Sequence, residues 1–278
     1  MKKPELINSI EEMRDIIEKL PGKIGFVPTM GFLHEGHLSL VRKAKDLSDH
    51  VIVSIFVNPT QFGEGEDLGK YPRDLENDLK QLSELNADCV FFPTEEMMYP
   101  GNYKSWIDVE KITSILCGRS RPHHFRGVTT IVAKLLNIVE PDLMFMGEKD
   151  FQQIVVLETM IRDLNFKTQI VRCPLIREKD GLAMSSRNKY LESAERSKAL
   201  CLFNALKLAQ KDFSEGQTDP VLIKNKMKKL IEENGGNIDY IEIVDPVNLE
   251  KINCLTEGCR ILVAALIGKT RLIDNIEI

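Results

Sequence analysis

A surplus of basic residues is missing from this chain: 37 Lys and Arg stand against 42 Asp and Glu, for a net charge of −5. Nucleic-acid binders neutralise phosphates with such a surplus, so the expectation is no nucleic-acid partner. Paired cysteines are missing as well. Cys89, Cys117, Cys173, Cys201, Cys254 and Cys259 stand singly, without the density of a disulfide scaffold or the C-x-x-C spacing of a zinc ribbon, and they read as reduced core residues. No run approaches the ~20 apolar residues of a membrane span. The first twenty residues alternate charges with Ile and Leu at helical spacing and lack a secretory apolar core. The expectation is a cytoplasmic protein with no membrane partner. Internal repeats and low-complexity tracts are absent too.

What is present fits an ordinary globular chain of 278 residues, 43% hydrophobic and 28% charged, long enough for one large domain or two. Short apolar runs alternate with helical patterns. Ile24 to Thr29, Val51 to Val57, Cys89 to Phe92, Leu143 to Met146 and Thr168 to Val171 read as strands. Helices are predicted at Gly36 to about Ser48, about Asp74 to Leu85, Val128 to Val139 and about Phe151 to Leu164. Unbroken Val, Ile and Phe runs suit strands covered on both faces, hence a mostly parallel sheet of an α/β, Rossmann-like domain, placed at residues 1–176.

After Cys173-Pro174 the pattern changes, and a smaller C-terminal α+β lid domain is expected at residues 177–278. A helix with the apolar stripe Ala199, Leu202, Phe203, Leu206, Ala209 and Phe213 is followed by one starting at Asp219-Pro220. Strand-like runs at Ile238 to Val244, Ile261 to Ile267 and Leu272 to Ile278 close the chain.

The segment Pro28-Thr29-Met30-Gly31-Phe32-Leu33-His34-Glu35-Gly36-His37 follows the first of the five strands. A strand leading through a glycine turn into a helix start offers backbone N–H groups and a positive dipole end to phosphate. His34 and His37, three apart, would share a face on one helical turn. A capping or surface pair is the plain alternative; a zinc pair lacks further donors. Ligands of an open parallel sheet sit beyond the carboxyl ends of its strands. Two further polar loops follow strands there, Asn58-Pro59-Thr60-Gln61-Phe62-Gly63 and Gly147-Glu148-Lys149-Asp150-Phe151-Gln152-Gln153. Lys149 offers a mobile charge for phosphate, Asp150 an acceptor for ribose hydroxyls, and Gln61 and Gln153 amides for a ligand with hydroxyl and carboxylate groups. The segment Arg177 to Asn188 adds two serines and Arg187, an anion clamp in a loop able to close over a ligand.

Together, Pro28-Thr29-Met30-Gly31 with His34-x-Gly-His37, Asn58-Pro59-Thr60-Gln61-Phe62, Gly147-Glu148-Lys149-Asp150 and Met184-Ser185-Ser186-Arg187-Asn188 resemble the pantothenate synthetases. The likeness runs in order from about Lys23 to Leu191. The H-x-G-H and M-S-S-R elements separately are similar to those of the wider nucleotidyltransferase group. The resemblance implies an ATP-dependent ligase that joins pantoate to β-alanine through a pantoyl-adenylate, with release of AMP and pyrophosphate, and a homodimer. It implies catalytic roles for His37, His34, Lys149 and Arg187. ATP would be bound by Met30, Gly31, His34, His37, Gly147, Glu148, Lys149, Asp150, Ile176, Met184, Ser185, Ser186 and Arg187, with Ile176 meeting adenine through its backbone. Gln61 and Gln153 would hold pantoate, with Asn58 near the acyl site.

Mg2+ is expected beside a triphosphate, but no protein ligands are assigned. Tyr71 to Asp78 is similar to a family stretch that often has adjacent acids, and here Asn77 precedes Asp78. Arg119 to Gly127, with Arg121, His123, His124, Phe125 and Arg126, also resembles the family and carries no assigned role. Two other readings remain: a different adenylyl-transferring enzyme, against which Gln61 and Gln153 argue, and a nucleotide sensor without an acceptor pocket.

Overall fold

The structure, a computed structural model, describes residues 3–278. The chain forms two compact units, one comprising residues up to Glu148 with Val156–Pro174, the other Lys149–Val155 with Leu175–Ile278.

The first unit is built on β1 (Glu5–Ile7), α1 (Ile10–Ile17), β2 (Ile24–Thr29), α2 (Glu35–Leu47), β3 (His50–Ile55), α3 (Leu75–Glu84), β4 (Cys89–Phe91), α4 (Glu95–Met98), α5 (Cys117–Ser120), α6 (His124–Val139), β5 (Leu143–Gly147), part of α7 (Phe151–Asp163) and β6 (Gln169–Cys173). Its six strands are all parallel, in the order β1-β4-β3-β2-β5-β6. The α/β, Rossmann-like expectation holds. Phe26, Val53, Val90 and Phe145 are wholly buried along these strands, as strands covered on both faces require. α2 turns Leu40, Val41 and Ala44 inward and packs on β2, β3 and β5.

The sequence pattern did not reveal β1, whose three residues are too few to show a period. The second strand-like run was placed at Val51 to Val57 but ends at Ile55, which leaves Asn58 in the loop. α6 begins at His124, four residues before the expected Val128, from a left-handed His123.

The second unit carries α8 (Ser193–Ala199), α9 (Cys201–Ser214), α10 (Pro220–Glu233), β7 (Gly236–Val244), β8 (Arg260–Ile267) and β9 (Thr270–Glu277), the strands forming an antiparallel sheet in that order. Leu202, Leu206 and Ala209 of α9 meet Ile223, Met227 and Ile231 of α10 and Ile261 and Val263 of β8 in one apolar core. Asp219 caps α10, accepting the Val221 N–H at 2.7 Å, with Pro220 in the first turn, as the sequence predicts. The break between α8 and α9 at Leu200 has no Gly or Pro to signal it. All six cysteines are free, but Cys254, expected in the core, is exposed, because it lies in the polar connection between β7 and β8. Among the described residues no helix is long and apolar enough to cross a membrane.

Candidate nucleotide site

In the parallel sheet the chain runs outward from β2 through β3 to β4, then returns to the other side of β2 at β5. Such a reversal opens a crevice beyond the carboxyl ends of the two strands. Pro28 adds to it. Proline has no N–H for the ladder, and pairing of β2 with β5 stops at Phe26↔Met144, whereas pairing with β3 continues to Thr29↔Ile55. Met30 to His37 therefore leaves β2 on one side of this reversal, and Gly147 and Glu148 leave β5 on the other.

The turn after β2 takes Gly31 to φ +77° and Phe32 to φ +53°. A Cβ on Gly31 would stand 2.9 Å from Ile55 Cγ2 and 3.1 Å from Asp78 Oδ2, so glycine is required by conformation and space alike. Phe32 has no such freedom, and its left-handed backbone is held by Asp78. One carboxylate oxygen accepts the Phe32 N–H at 2.8 Å and the other the Leu33 N–H at 2.7 Å. Burial pushes the Asp78 carboxyl above its ordinary value, and the Leu33 and Phe32 N–H groups work against that rise.

His34 sits just ahead of α2 as its N-cap, and His37 occupies the third helical position. His34 Nδ1 accepts the Gly36 N–H at 3.1 Å and His37 Nδ1 accepts the His34 N–H at 3.3 Å. The rings lie 4.0 Å apart. Because each Nδ1 is an acceptor, each neutral ring carries its proton on Nε2. The capping and phosphate-binding readings are thus compatible, since an imidazole has two nitrogens.

A second network fixes Gln61. The buried Asn58 uses its full polar capacity inside the protein. Its Oδ1 accepts from Thr60 Oγ1 at 2.9 Å and Tyr99 OH at 3.0 Å, and its Nδ2 donates to Gln61 Oε1 and Gly127 O, both at 3.1 Å. Gln61 Nε2 then faces Met30 Sδ at 2.9 Å. Burial pushes the Tyr99 hydroxyl up to about 12, so it remains a donor throughout the physiological range. The Gln61 carbonyl accepts from Arg121 at 3.2 Å and meets His124 Nδ1 at 2.8 Å. Arg121 also grips Glu66 through two bonds of 2.7 and 2.6 Å. Burial alone would raise the Glu66 carboxyl, but the Arg121 bonds outweigh it and the net direction is down. A Cβ on Gly127 would fall 2.4 Å from Thr60 O, so only glycine lets α6 approach this turn. The Arg119 to Gly127 run, without a role in the sequence, thus buttresses Gln61.

Lys149, Asp150, Gln153, Ile176 and Met184 to Arg187 belong to the second unit. Lys149 and Gln153 are half-buried and Asp150 is exposed, flanking the start of α7. Ile176 O accepts the Met184 N–H at 3.0 Å and Arg177 bridges Ala183, closing a narrow antiparallel loop. Ser185 Oγ caps the following turn by accepting the Arg187 N–H at 3.3 Å, and Ser186 is buried. Asn188 Nδ2 donates to Glu178 Oε1 at 2.6 Å and Ala183 O at 3.0 Å.

The acidic stretch before and within α3 does not fit a metal cage. Asp74 caps α3 through the Asn77 N–H, and both Asp78 oxygens are engaged by backbone. Among the described residues no three His, Cys, Asp or Glu side chains are grouped to hold a metal ion. The sequence brought up Asp78 only in weighing a metal carboxylate pair and Thr60 only as part of the Asn58 to Phe62 motif, and nothing marked Tyr99. Asp78 is 45 residues from Leu33, and Tyr99 is 41 from Asn58, so only folding brings them together.

The chain is similar to known proteins along nearly its whole length. Residues 5–277 match the family model described as pantoate-beta-alanine ligase. The chain is 51% identical to a pantothenate synthetase of Thermotoga petrophila over 98% of both chains. It is 50% identical to one of Thermosipho africanus over 99% of this chain and all of that one. A crystal structure of pantothenate synthetase from Thermus thermophilus is similar with a TM-score of 0.94 and 40% identity, covering 98% of this chain and 99% of that one. A pantoate-beta-alanine ligase from Francisella tularensis, complexed with beta-gamma ATP and beta-alanine, is similar with a TM-score of 0.84 and 40% identity, covering 99% and 97%. The family model spans nearly the whole chain, the relatives match it over nearly their full length and the fold agrees with theirs, and the chain belongs to the pantoate–β-alanine ligase family.

Proposed function

We propose that this ligase condenses pantoate with β-alanine at the expense of ATP, through a pantoyl-adenylate, giving pantothenate, AMP and pyrophosphate. The observation that carries the reading is the adjacent, mutually tilted pair His34 and His37 at the start of α2, with both Nδ1 atoms accepting backbone N–H groups, an arrangement that puts the proton of each neutral ring on Nε2. The nucleotide and β-alanine named in the Francisella tularensis complex support the substrate assignment.

A carboxylate does not accept an amine unaided. A pantoate carboxylate oxygen attacks the α-phosphorus of ATP, the bond from that phosphorus to the bridging oxygen breaks, and pyrophosphate leaves. The β-alanine nitrogen then attacks the acyl carbon, loses a proton, and the acyl carbon–oxygen bond breaks to free AMP. No bond to the enzyme forms, so the protein's contribution is placement and charge stabilisation. Donation from His37 Nε2, with His34 beside it, meets the charge that grows on the departing pyrophosphate. Met30 and Gly31 lie against the phosphates. Gly147, Glu148, Lys149 and Asp150 bind ATP, with the Lys149 ammonium on the phosphates. Ile176 meets adenine, and Met184, Ser185, Ser186 and Arg187 close on the triphosphate.

Gln61 and Gln153 hold pantoate by its hydroxyl and carboxylate groups. Asn58, its own polar groups spent on neighbours, serves by orienting Gln61. No protein cage for Mg2+ forms among the described residues; the cation would be held chiefly by the triphosphate and would supply charge neutralisation there. Functionally, residues 1–176 act as the nucleotide- and pantoate-binding domain and 177–278 as a lid, in a cytoplasmic homodimer.

The test is incubation with ATP, Mg2+, pantoate and β-alanine, each omitted in turn, with pyrophosphate, AMP and amide measured. Pyrophosphate release is expected to require pantoate, and AMP release to require all the substrates. ATP bound without any product would refute the reading and favour a sensor.

A further inference from the structure

We propose that Asp274 and Asn275, neighbours on the last strand, are positioning residues for nucleotide binding, a proposal that rests on the ATP-dependent reading above. Both are buried, with exposures of 3% each. Successive residues of a strand face opposite sides, so β9 carries a buried polar group toward each face of its sheet, beside a large apolar core. Buried polar groups are costly unless paired. Besides a bond to each other, these two reach partners outside the sheet.

Asp274 takes Arg177 in a bidentate pair, Arg177 Nη1 donating to Oδ2 at 2.7 Å and Nη2 to Oδ1 at 2.9 Å. The guanidinium also donates to Gly181 O at 3.0 Å and to Asn275 O at 3.3 Å, and lies 4.3 Å from the centre of the Phe203 ring. Arg177 is thereby fixed in the plane of its fork, and with it the loop in which Ile176 O is bonded to Met184 N. Asn275 Nδ2 donates to the main-chain carbonyl of Lys149 at 3.1 Å, while the Asn275 N–H donates to Asp274 Oδ1 at 2.7 Å. Two adjacent residues of β9 thus tether two segments that are distant in sequence. One presents the Lys149 ammonium; the other presents Ile176 and Met184 to Arg187. Neither side chain is placed on a substrate. Their action is to set the positions from which those segments meet the nucleotide.

The test measures affinity by calorimetry for α,β-methylene ATP and, separately, for pantoate. The proteins are the unsubstituted chain, Asp274→Asn, Asn275→Ala and Ile231→Ala. The last opens the apolar core of the same unit and controls for general weakening. Asp274→Asn and Asn275→Ala are expected to weaken the nucleotide at least tenfold and pantoate less than twofold, while Ile231→Ala lowers the melting temperature and leaves both affinities unchanged. Nucleotide affinity within twofold of the unsubstituted chain in both β9 variants overturns the proposal, as does equal weakening in Ile231→Ala. An unsubstituted chain that binds the nucleotide but makes no pantothenate defeats the functional reading and leaves the affinity comparison valid. One that binds no nucleotide defeats both.

Discussion

Asp78 in the parallel-sheet unit and Asp274 in the antiparallel one are both buried aspartates that burial pushes above the ordinary carboxyl range, yet they are held in different ways. Asp78 has two backbone N–H groups. Asp274 has the Arg177 guanidinium, which works against the rise. The first device fixes main chain directly, within a turn that a glycine makes accessible. The second fixes a side chain that in turn carries a loop. A turn held at its own backbone is fixed without an intermediary, whereas a loop held through an ion pair can yield when the pair is disturbed. In the proposed mechanism the first suits a fixed donor array where charge develops, and the second an adjustable segment around a ligand that must enter and leave.

The largest expected effects come from His37, just beyond the turn that Asp78 holds, and from Lys149, whose main-chain carbonyl takes the Asn275 amide. His37→Ala and Lys149→Ala should each lower the rate of pantoate-dependent pyrophosphate release by roughly 10²–10⁴-fold. The cost to stability should stay near that of a lost cap for His37, about 0.5–2 kcal/mol, and near zero for Lys149. Thermal melts beside the kinetics check this. A melting midpoint that collapses with activity would give either residue a structural role and remove the contrast between the holding groups and the groups they hold.

Next in size are the holding groups themselves. Arg177→Met leaves Asp274 buried without its cation, a change that costs about 3–5 kcal/mol. The cost should depend on pH. A carboxyl whose folded value lies above its unfolded one binds its proton more readily in the folded state, so the variant is favoured at low pH and loses stability as pH rises through the folded value. Asp78→Ala removes the titrating group and orphans the Phe32 and Leu33 N–H groups, at about 2–4 kcal/mol, with no such added dependence. Denaturant titrations of both variants between acid and neutral pH distinguish them. A flat profile for Arg177→Met would mean that the two aspartates are held alike.

Much of this was legible in the sequence where the signal is local. The β-α rhythm, the Asp219-Pro220 helix start and the Pro28 to His37 turn depend on neighbours within a few residues, and strand–turn–helix chemistry leaves a readable trace there. Asp78 was weighed beside a metal carboxylate pair, and its hold on the Phe32–Leu33 backbone went unread because that turn lies 45 residues away. Its immediate surroundings read as the acidic first turn of a helix. Arg121 and His124 were visible as a basic run, but their target is the Gln61 main-chain carbonyl, a group every residue has and no sequence marks. Asp274 and Asn275 were hidden inside an apolar strand pattern. Polar residues that support a turn or loop from a distance obey no short period, which is why the loops after the strands were legible and the groups behind them were not.

A smaller effect sharpens the comparison with a third carboxylate. Glu66 is held below its ordinary value, burial being outweighed by Arg121. It therefore contributes stability that is present above the unfolded value, near 4.5, and lost as pH falls through the folded one. Glu66→Gln should thus be less stable than the unsubstituted chain at neutral pH, with the gap closing on acidification. An unchanging gap would show that the Arg121 pair acts through shape rather than charge.

The smallest expected effect is also the most specific. Tyr99→Phe removes one of the two donors to Asn58 Oδ1 and leaves Thr60 Oγ1 in place. The lost bond is worth about 1 kcal/mol, or about fivefold in an equilibrium constant. Because Asn58 orients Gln61 and neither touches the nucleotide in the proposed mechanism, that factor should appear in the KM for pantoate and not in the KM for ATP. With the Tyr99 hydroxyl at about 12, the difference should be constant from pH 6 to 9. Equal changes in both constants would mean that the Asn58 network supports the crevice as a whole, and Gln61 would then be one of its walls rather than a selective contact for the hydroxy acid.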